Sequence, residues 1–284
     1  MLAAFGVLFL ASCNEDAETS FTDPDSEIVN TEAEIDADFE DVDNITLESM
    51  ETNVYSAEPG ARVASRRHHV PDCAEVTHDY DAMTITIDFG DNCELRNGKV
   101  VSGTIFISYT GRKFMPGTII TTTFQDFTVD GKLIEGTRVV ENISESLEDN
   151  PTFHITLTDG KITLEDGTFA TREADKTVMW VRALNPLNDE FHVLEGTTAS
   201  GVNFEGITYS INVVETIVYK NLCEDLMIKA PVQGVKQVIK GDVEYIIDFG
   251  DGECDNLVTV TSDGQTWIVE LKRRIRVNNN NNNG

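Results

Sequence analysis

Four cysteines and a scatter of carboxylates are the residues of this chain best placed to do chemistry. Cys73 and Cys93 stand twenty residues apart, and Cys223 and Cys254 thirty-one apart. Four thiols allow three pairings. The sequential one suits the local pattern, because strand-like segments near 74–77 and 83–89 turn around 78–82 and bring Cys73 and Cys93 to the open end of one hairpin. Cys223 and Cys254 likewise flank a segment that turns near Lys240-Gly241-Asp242. An antiparallel hairpin holds its open ends within disulfide reach. The pairs Cys73–Cys93 and Cys223–Cys254 are therefore expected.

The carboxylates gather at two related places. Thr86-Ile87-Asp88-Phe89-Gly90-Asp91-Asn92-Cys93 is echoed by Ile246-Ile247-Asp248-Phe249-Gly250-Asp251-Gly252-Glu253-Cys254. Chance rarely repeats Ile-Asp-Phe-Gly-Asp before a Cys, so an internal duplication is the natural reading. Asp88, Asp91, Asp248 and Asp251, with Glu253 and Asp255, offer the oxygen ligands that calcium prefers. The plainer role is turn chemistry: Gly accepts a positive φ past a strand end, and Asp side chains bond turn amides.

Other chemistry finds little support. None of the five histidines falls in a metal-ligand spacing such as His-Glu-x-x-His. There is no Gly-x-Ser-x-Gly elbow, and two disulfides would leave no body cysteine to act as a nucleophile. No cofactor loop is present, and no catalytic residue is assigned. A glycosidase needs only two carboxylates at a set separation, which an acidic chain always contains. Trp180, Trp267, Tyr109 and Tyr209 are the aromatic side chains that could stack on sugars, although core packing is the commoner fate of a strand aromatic.

The elements that must position these residues read as strands. From about residue 73, β-branched and aromatic residues alternate with polar ones, as in 83–89, 104–109 and 210–213. Asn97-Gly98, Asp130-Gly131, Asp159-Gly160, Asp166-Gly167 and Asp263-Gly264 are hairpin signals. No helical periodicity follows residue 60. The expected fold is all-β, an antiparallel meander or sandwich of roughly ten to thirteen strands, some of them long, over residues 61–277, with two pseudo-repeated halves. The Asn278–Asn283 run and Gly284 have nothing to bury, and 278–284 is expected to be a disordered tail.

Ahead of the body, residues 14–60 carry sixteen Asp and Glu and no Lys or Arg, the first basic residue being Arg62. Such a stretch cannot offset the entropy of ordering and reads as a disordered acidic leader. Phe39, Val42, Ile45 and Met50 give residues 36–51 a marginal amphipathic helix. Arg66, Arg67, His68 and His69 form a small basic spot where leader meets body. The net charge of −29 repels nucleic acid. No apolar run of about 18 residues exists to span a membrane as a helix.

Leu2–Leu10 has the length of a signal-peptide apolar region and runs into Leu10-Ala11-Ser12-Cys13. This resembles the lipobox of bacterial lipoproteins, which implies that residues 1–12 are a signal peptide and that Cys13 carries the lipid, with 13–60 as its tether. No Lys or Arg precedes the apolar stretch, a departure from the pattern. The acidic residues after Cys13 resemble the surface-export signal of Bacteroidota-type lipoproteins. Residues 73–272 are similar to a group of such lipoproteins in the paired Asp-Phe-Gly-Asp and Cys units, in Ser102-Gly103-Thr104-Ile105 with Tyr109-Thr110-Gly111, and in Cys254-Asp255-Asn256 with Thr259-Val260-Thr261. The resemblance brings no activity with it. It implies an outer-membrane, lipid-anchored, surface-facing protein in an oxidising compartment, with the membrane as a partner. The anchor, the tether and the stapled β surface, beside the lack of a nucleophile, metal box or cofactor loop, favour a glycan or envelope protein as the other partner. A non-catalytic binding or structural module is expected, and a carboxylate-dependent hydrolase acting on glycans is the alternative.

Overall fold

The computed structural model describes residues 71–95, 98–223 and 228–271. The Cys13 lipobox, the leader with its 36–51 helix, the 66–69 basic spot and the 278–284 tail lie outside the described residues. Among the described residues fifteen strands follow one another: β1 (Glu75–Asp79), β2 (Thr84–Asp88), β3 (Cys93–Glu94), β4 (Val100–Tyr109), β5 (Ile119–Val129), β6 (Lys132–Asn142), β7 (Thr152–Thr163), β8 (Phe169–Val181), β9 (Glu190–Val193), β10 (Thr198–Val202), β11 (Thr208–Cys223), β12 (Ile228–Lys240), β13 (Val243–Asp251), β14 (Leu257–Ser262) and β15 (Gln265–Glu270). The excess over the expected number lies in β3 and β9, pieces of two and four residues. The only helical element among the described residues is the 3₁₀ turn Pro186–Asn188.

All strands belong to one antiparallel sheet, in the order β1-β2-β4-β5-β6-β7-β8-β10-β11-β12-β13-β14-β15, with β3 beside β4 and β9 between β8 and β11. A meander of this kind needs only local pairings, so hairpin turns set most of its register. Asp130-Gly131 and Asp263-Gly264 form two-residue turns with both residues at positive φ. At Asp166-Gly167 the Asp166 carboxylate accepts the Thr168 amide, and that bond holds its pKa below the usual carboxylate value.

Alternation sorts the strands into two faces. Ile85 and Ile87 pair with Ile107 and Ile105, Ile134 with Ile162, Ile211 with Val238 and Ile247 with Val260. These residues share one buried face. They form a continuous cluster that runs from Ile85 on β2 to Val269 on β15. No longer helix among the described residues lies over that face, and a sheet of this many strands coils rather than staying flat.

Bulges opposite glycines let such long strands coil. Gly103 on β4 has φ +82°, and a Cβ there would stand 2.1 Å from the Asp126 carbonyl oxygen of the bulged β5. On β6, Gly136 faces Gly160 of the bulged β7. On β12, Gly234 has φ +103°, and its Cβ would lie 2.3 Å from the Thr216 carbonyl oxygen on the bulged β11. Each bulge adds a residue to one strand and increases local twist and bend. The Asp159-Gly160 signal is thus corrected: it is a bulge inside β7, out of register with both β6 and β8. The dipeptide supplies positive φ in either setting, and pairing on both sides decides against a turn.

A glycine pair tests this. Gly103→Ala meets both the carbonyl and the positive φ and should lose about 3 kcal/mol or more, whereas Gly167→Ala, with open space around it, should lose roughly 1 kcal/mol from backbone strain. Denaturant unfolding of the two variants gives the comparison. Equal losses would mean that Gly103 does no more than a turn glycine.

Candidate functional site

The disulfides come first, since they fix the ends of the strands that carry the site. Cys73–Cys93 and Cys223–Cys254 are both formed, with Cα atoms 5.5 Å apart in each. The Asp-Phe-Gly segments share local geometry. Ile87 and Ile247 are fully buried, Phe89 and Phe249 nearly so. Asp88 and Asp248 each accept the amide of the glycine two residues on, at 2.9 Å.

The likeness stops there. The β1–β2 turn spans four residues and the β12–β13 turn two, Gly241 and Asp242. An odd number of antiparallel steps separates β2 from β13, so the two segments run in opposite senses and end on opposite rims of the sheet. The shared residues repeat a local solution to ending a strand beside a disulfide, within one undivided meander. The proposed calcium ligands follow suit: Asp88 and Asp91 sit on one rim, Asp248 and Asp251 on the other. Among the described residues no three His, Cys, Asp or Glu side chains converge as a metal site.

The aromatic candidates separate in the same way. Tyr209 is core: its hydroxyl donates to the Thr171 carbonyl, and the buried Arg172 donates to it at 3.3 Å. Trp267 and Tyr109 pack against the main cluster. Burial, then Tyr80 and Asp79, push the Tyr109 phenol above its ordinary value. Trp180 alone joins a group. It pairs with Phe191 across β8 and β9, the rings stacked at 6.0 Å, and Phe114 from the 110–118 loop lies against both Trp180 and Phe153. The Trp180 indole N–H donates to the buried Asp189 carboxylate at 3.0 Å. Phe114, Phe153 and Phe191 were not legible as a group, because nothing in the chain before folding relates a loop phenylalanine to β7 and β9.

Opposite this row, on the outer face, lies a groove of about 540 Å³ across β9, β11, β12 and β13. Register explains it. Glu190 pairs with Lys220 and His192 with Val218, so all four point outward, while Val193 and Ile217 point into the core. Gln233 pairs with Val218 on one side and Asp251 on the other. The floor is Val218 and Val232. The walls are His192, bonded to Glu190 at 2.8 Å, and Lys220, whose ammonium donates to the Gly252 carbonyl at 2.6 Å, with Asp251 and Glu253 along the lip. Of the sequence candidates, Asp251 and Glu253 reach this groove, and Cys254 adjoins it. Glu190, His192 and Lys220 were missed, since their alignment depends on β9, a four-residue strand wedged between two long ones. Comparisons with family models, with curated proteins and with solved structures find no match.

Removing the cover over the aromatic row should be visible. In a Trp267→Phe background, Phe114→Ala should shift Trp180 emission to the red and lose about 1 to 2 kcal/mol of stability, Phe114 being 38% exposed. Unchanged emission would show that Phe114 does not shield Trp180.

Proposed function

We propose that this chain is an outer-membrane lipoprotein, held by a lipid on Cys13, whose β domain is a non-catalytic binding module taking a glycan in the groove over β9, β11, β12 and β13. The anchor rests on the lipobox resemblance and on the acidic leader that follows it, and two or three acyl chains hold a protein durably. The groove carries the binding reading. It pairs an apolar floor, suited to the carbon face of a sugar ring, with amide, imidazole, ammonium and carboxylate groups that exchange hydrogen bonds with hydroxyls. Its carboxylates face water. Glu190 is 35% exposed and bonded to His192, and Asp251 and Glu253 are exposed. A general acid in glycoside hydrolysis needs a carboxyl shielded enough to keep its proton near neutrality, and none of the three sits in such a pocket.

The alternative, a carboxylate-dependent hydrolase acting on glycans, draws on those same three carboxylates sharing one groove. A panel of envelope and dietary glycans, titrated into the full chain by calorimetry and assayed for reducing ends, separates the two. Binding without turnover, weakened at least tenfold by Gln233→Ala or Lys220→Ala, is the expected result. Turnover abolished by Glu190→Gln, Asp251→Asn or Glu253→Gln would replace the binding module with the hydrolase, and absence of both binding and turnover would remove the groove from consideration.

A further inference from the structure

The two disulfides are embedded differently. Cys93 is fully buried within the main cluster, among the residues that hold β2, β4 and β5 together. Cys223 is equally buried, but in a separate small cluster with Ala230 and Val232, against which Val218 and Cys254 pack. Val218 and Val232 are the floor of the groove. Cys254 follows Gly252 and Glu253, which form its lip, and Gly252 is drawn to Lys220 of β11 by the 2.6 Å bond to its carbonyl. Gly252 also donates its amide to Val232 at 2.8 Å. The bridge therefore ties the end of β11 to the segment after β13 at the point where these two sides of the groove meet.

We infer that Cys223–Cys254 is a redox-sensitive clasp of the groove: when it is reduced, the lip is released and the site is lost while the main core stays folded. This rests on the groove being the binding site. The chemistry requires a dithiol reductant. One of its thiolates attacks the sulfur of Cys254, which is only partly buried where Cys223 is fully so, and Cys223 leaves as a thiolate that takes up a proton. The reductant's second thiol then resolves the mixed disulfide, freeing the Cys254 thiol, so that the reductant is oxidised to a disulfide and both protein cysteines are reduced. The separation of the small cluster from the main one confines the effect. Lys220, Val218 and Val232 lose their fixed partner across the groove, whereas Ile105, Val238 and Ile247 keep theirs.

Hydrogen exchange on the full chain without ligand tests this independently of any glycan. In Cys223→Ser/Cys254→Ser, amides of residues 216–223 and 251–254 should exchange at least tenfold faster, with β4 and β6 unchanged. In Cys73→Ser/Cys93→Ser the faster exchange should instead appear in β1, β2 and β4. Dithiothreitol treatment of the Cys73→Ser/Cys93→Ser variant, which spares the exposed Cys73 from reduction, should add the groove effect to it with β6 unchanged. Unaltered exchange around the groove in the first variant, or opening of β4 and β6 along with it, would overturn the clasp. If the groove loosens as described and no glycan ever binds, the clasp stands and the binding assignment falls.

Discussion

The close approach of glycine backbone to a bulged neighbour is the contact on which this molecule depends. A long antiparallel meander has one apolar face and, among its described residues, no helix longer than the turn Pro186–Asn188 to cover it, so it must bend. Bending requires an extra residue in one strand and no side chain on the strand beside it. At Gly103 against Asp126, and again at Gly234 against Thr216, a single methyl group would collide with a carbonyl oxygen. The β4–β5 ladder is in register on both sides of its one bulge, and β11 and β12 stay paired through several register shifts, so the strands bend without breaking, and one apolar cluster extends from β2 to β15.

The site inherits its form from that arrangement. β9 interrupts the path between β8 and β11 as a short wedge, and its alternation sends Phe191 and Val193 to one side and Glu190 and His192 to the other. The aromatic row and the polar groove are two faces of the same four residues. Charge follows a similar economy. His192 and Lys220, the basic groups of the groove, are each held by an acceptor within it, a carboxylate and a backbone carbonyl.

Much of the fold was legible because its strands are locally encoded. Along 105–108 burial alternates, Ile105 and Ile107 inward and Phe106 and Ser108 outward, and the pairing of Cys73 with Cys93 and of Cys223 with Cys254 follows from hairpins whose turns lie between the cysteines. Reading failed where a residue's role depends on distant partners. Asp159-Gly160 has the composition of a hairpin turn, yet β6 and β8 flank it and make it a bulge. The repeated Ile-Asp-Phe-Gly-Asp gave the local capping bonds correctly, but sequence carries no count of the strand reversals between the copies, and that count sets them in opposite senses. Glu190, His192 and Lys220 were invisible because the groove is created by register across β9, β11 and β12. The leader, Cys13 and the tail lie outside what the structure describes, and their reading rests on composition and resemblance.

One continuous sheet whose main cluster runs from β2 to β15 implies that its two ends open together. Native-state hydrogen exchange, followed across low denaturant concentrations on the full chain, measures this directly through amides of β4 near one end and of β13 near the other. Convergence of both sets on a single opening free energy, equal to that of global unfolding, is the predicted result. Separate isotherms, with β2 to β5 opening at a different free energy from β12 to β14, would contradict a single glycine-bent core and divide the meander into two units.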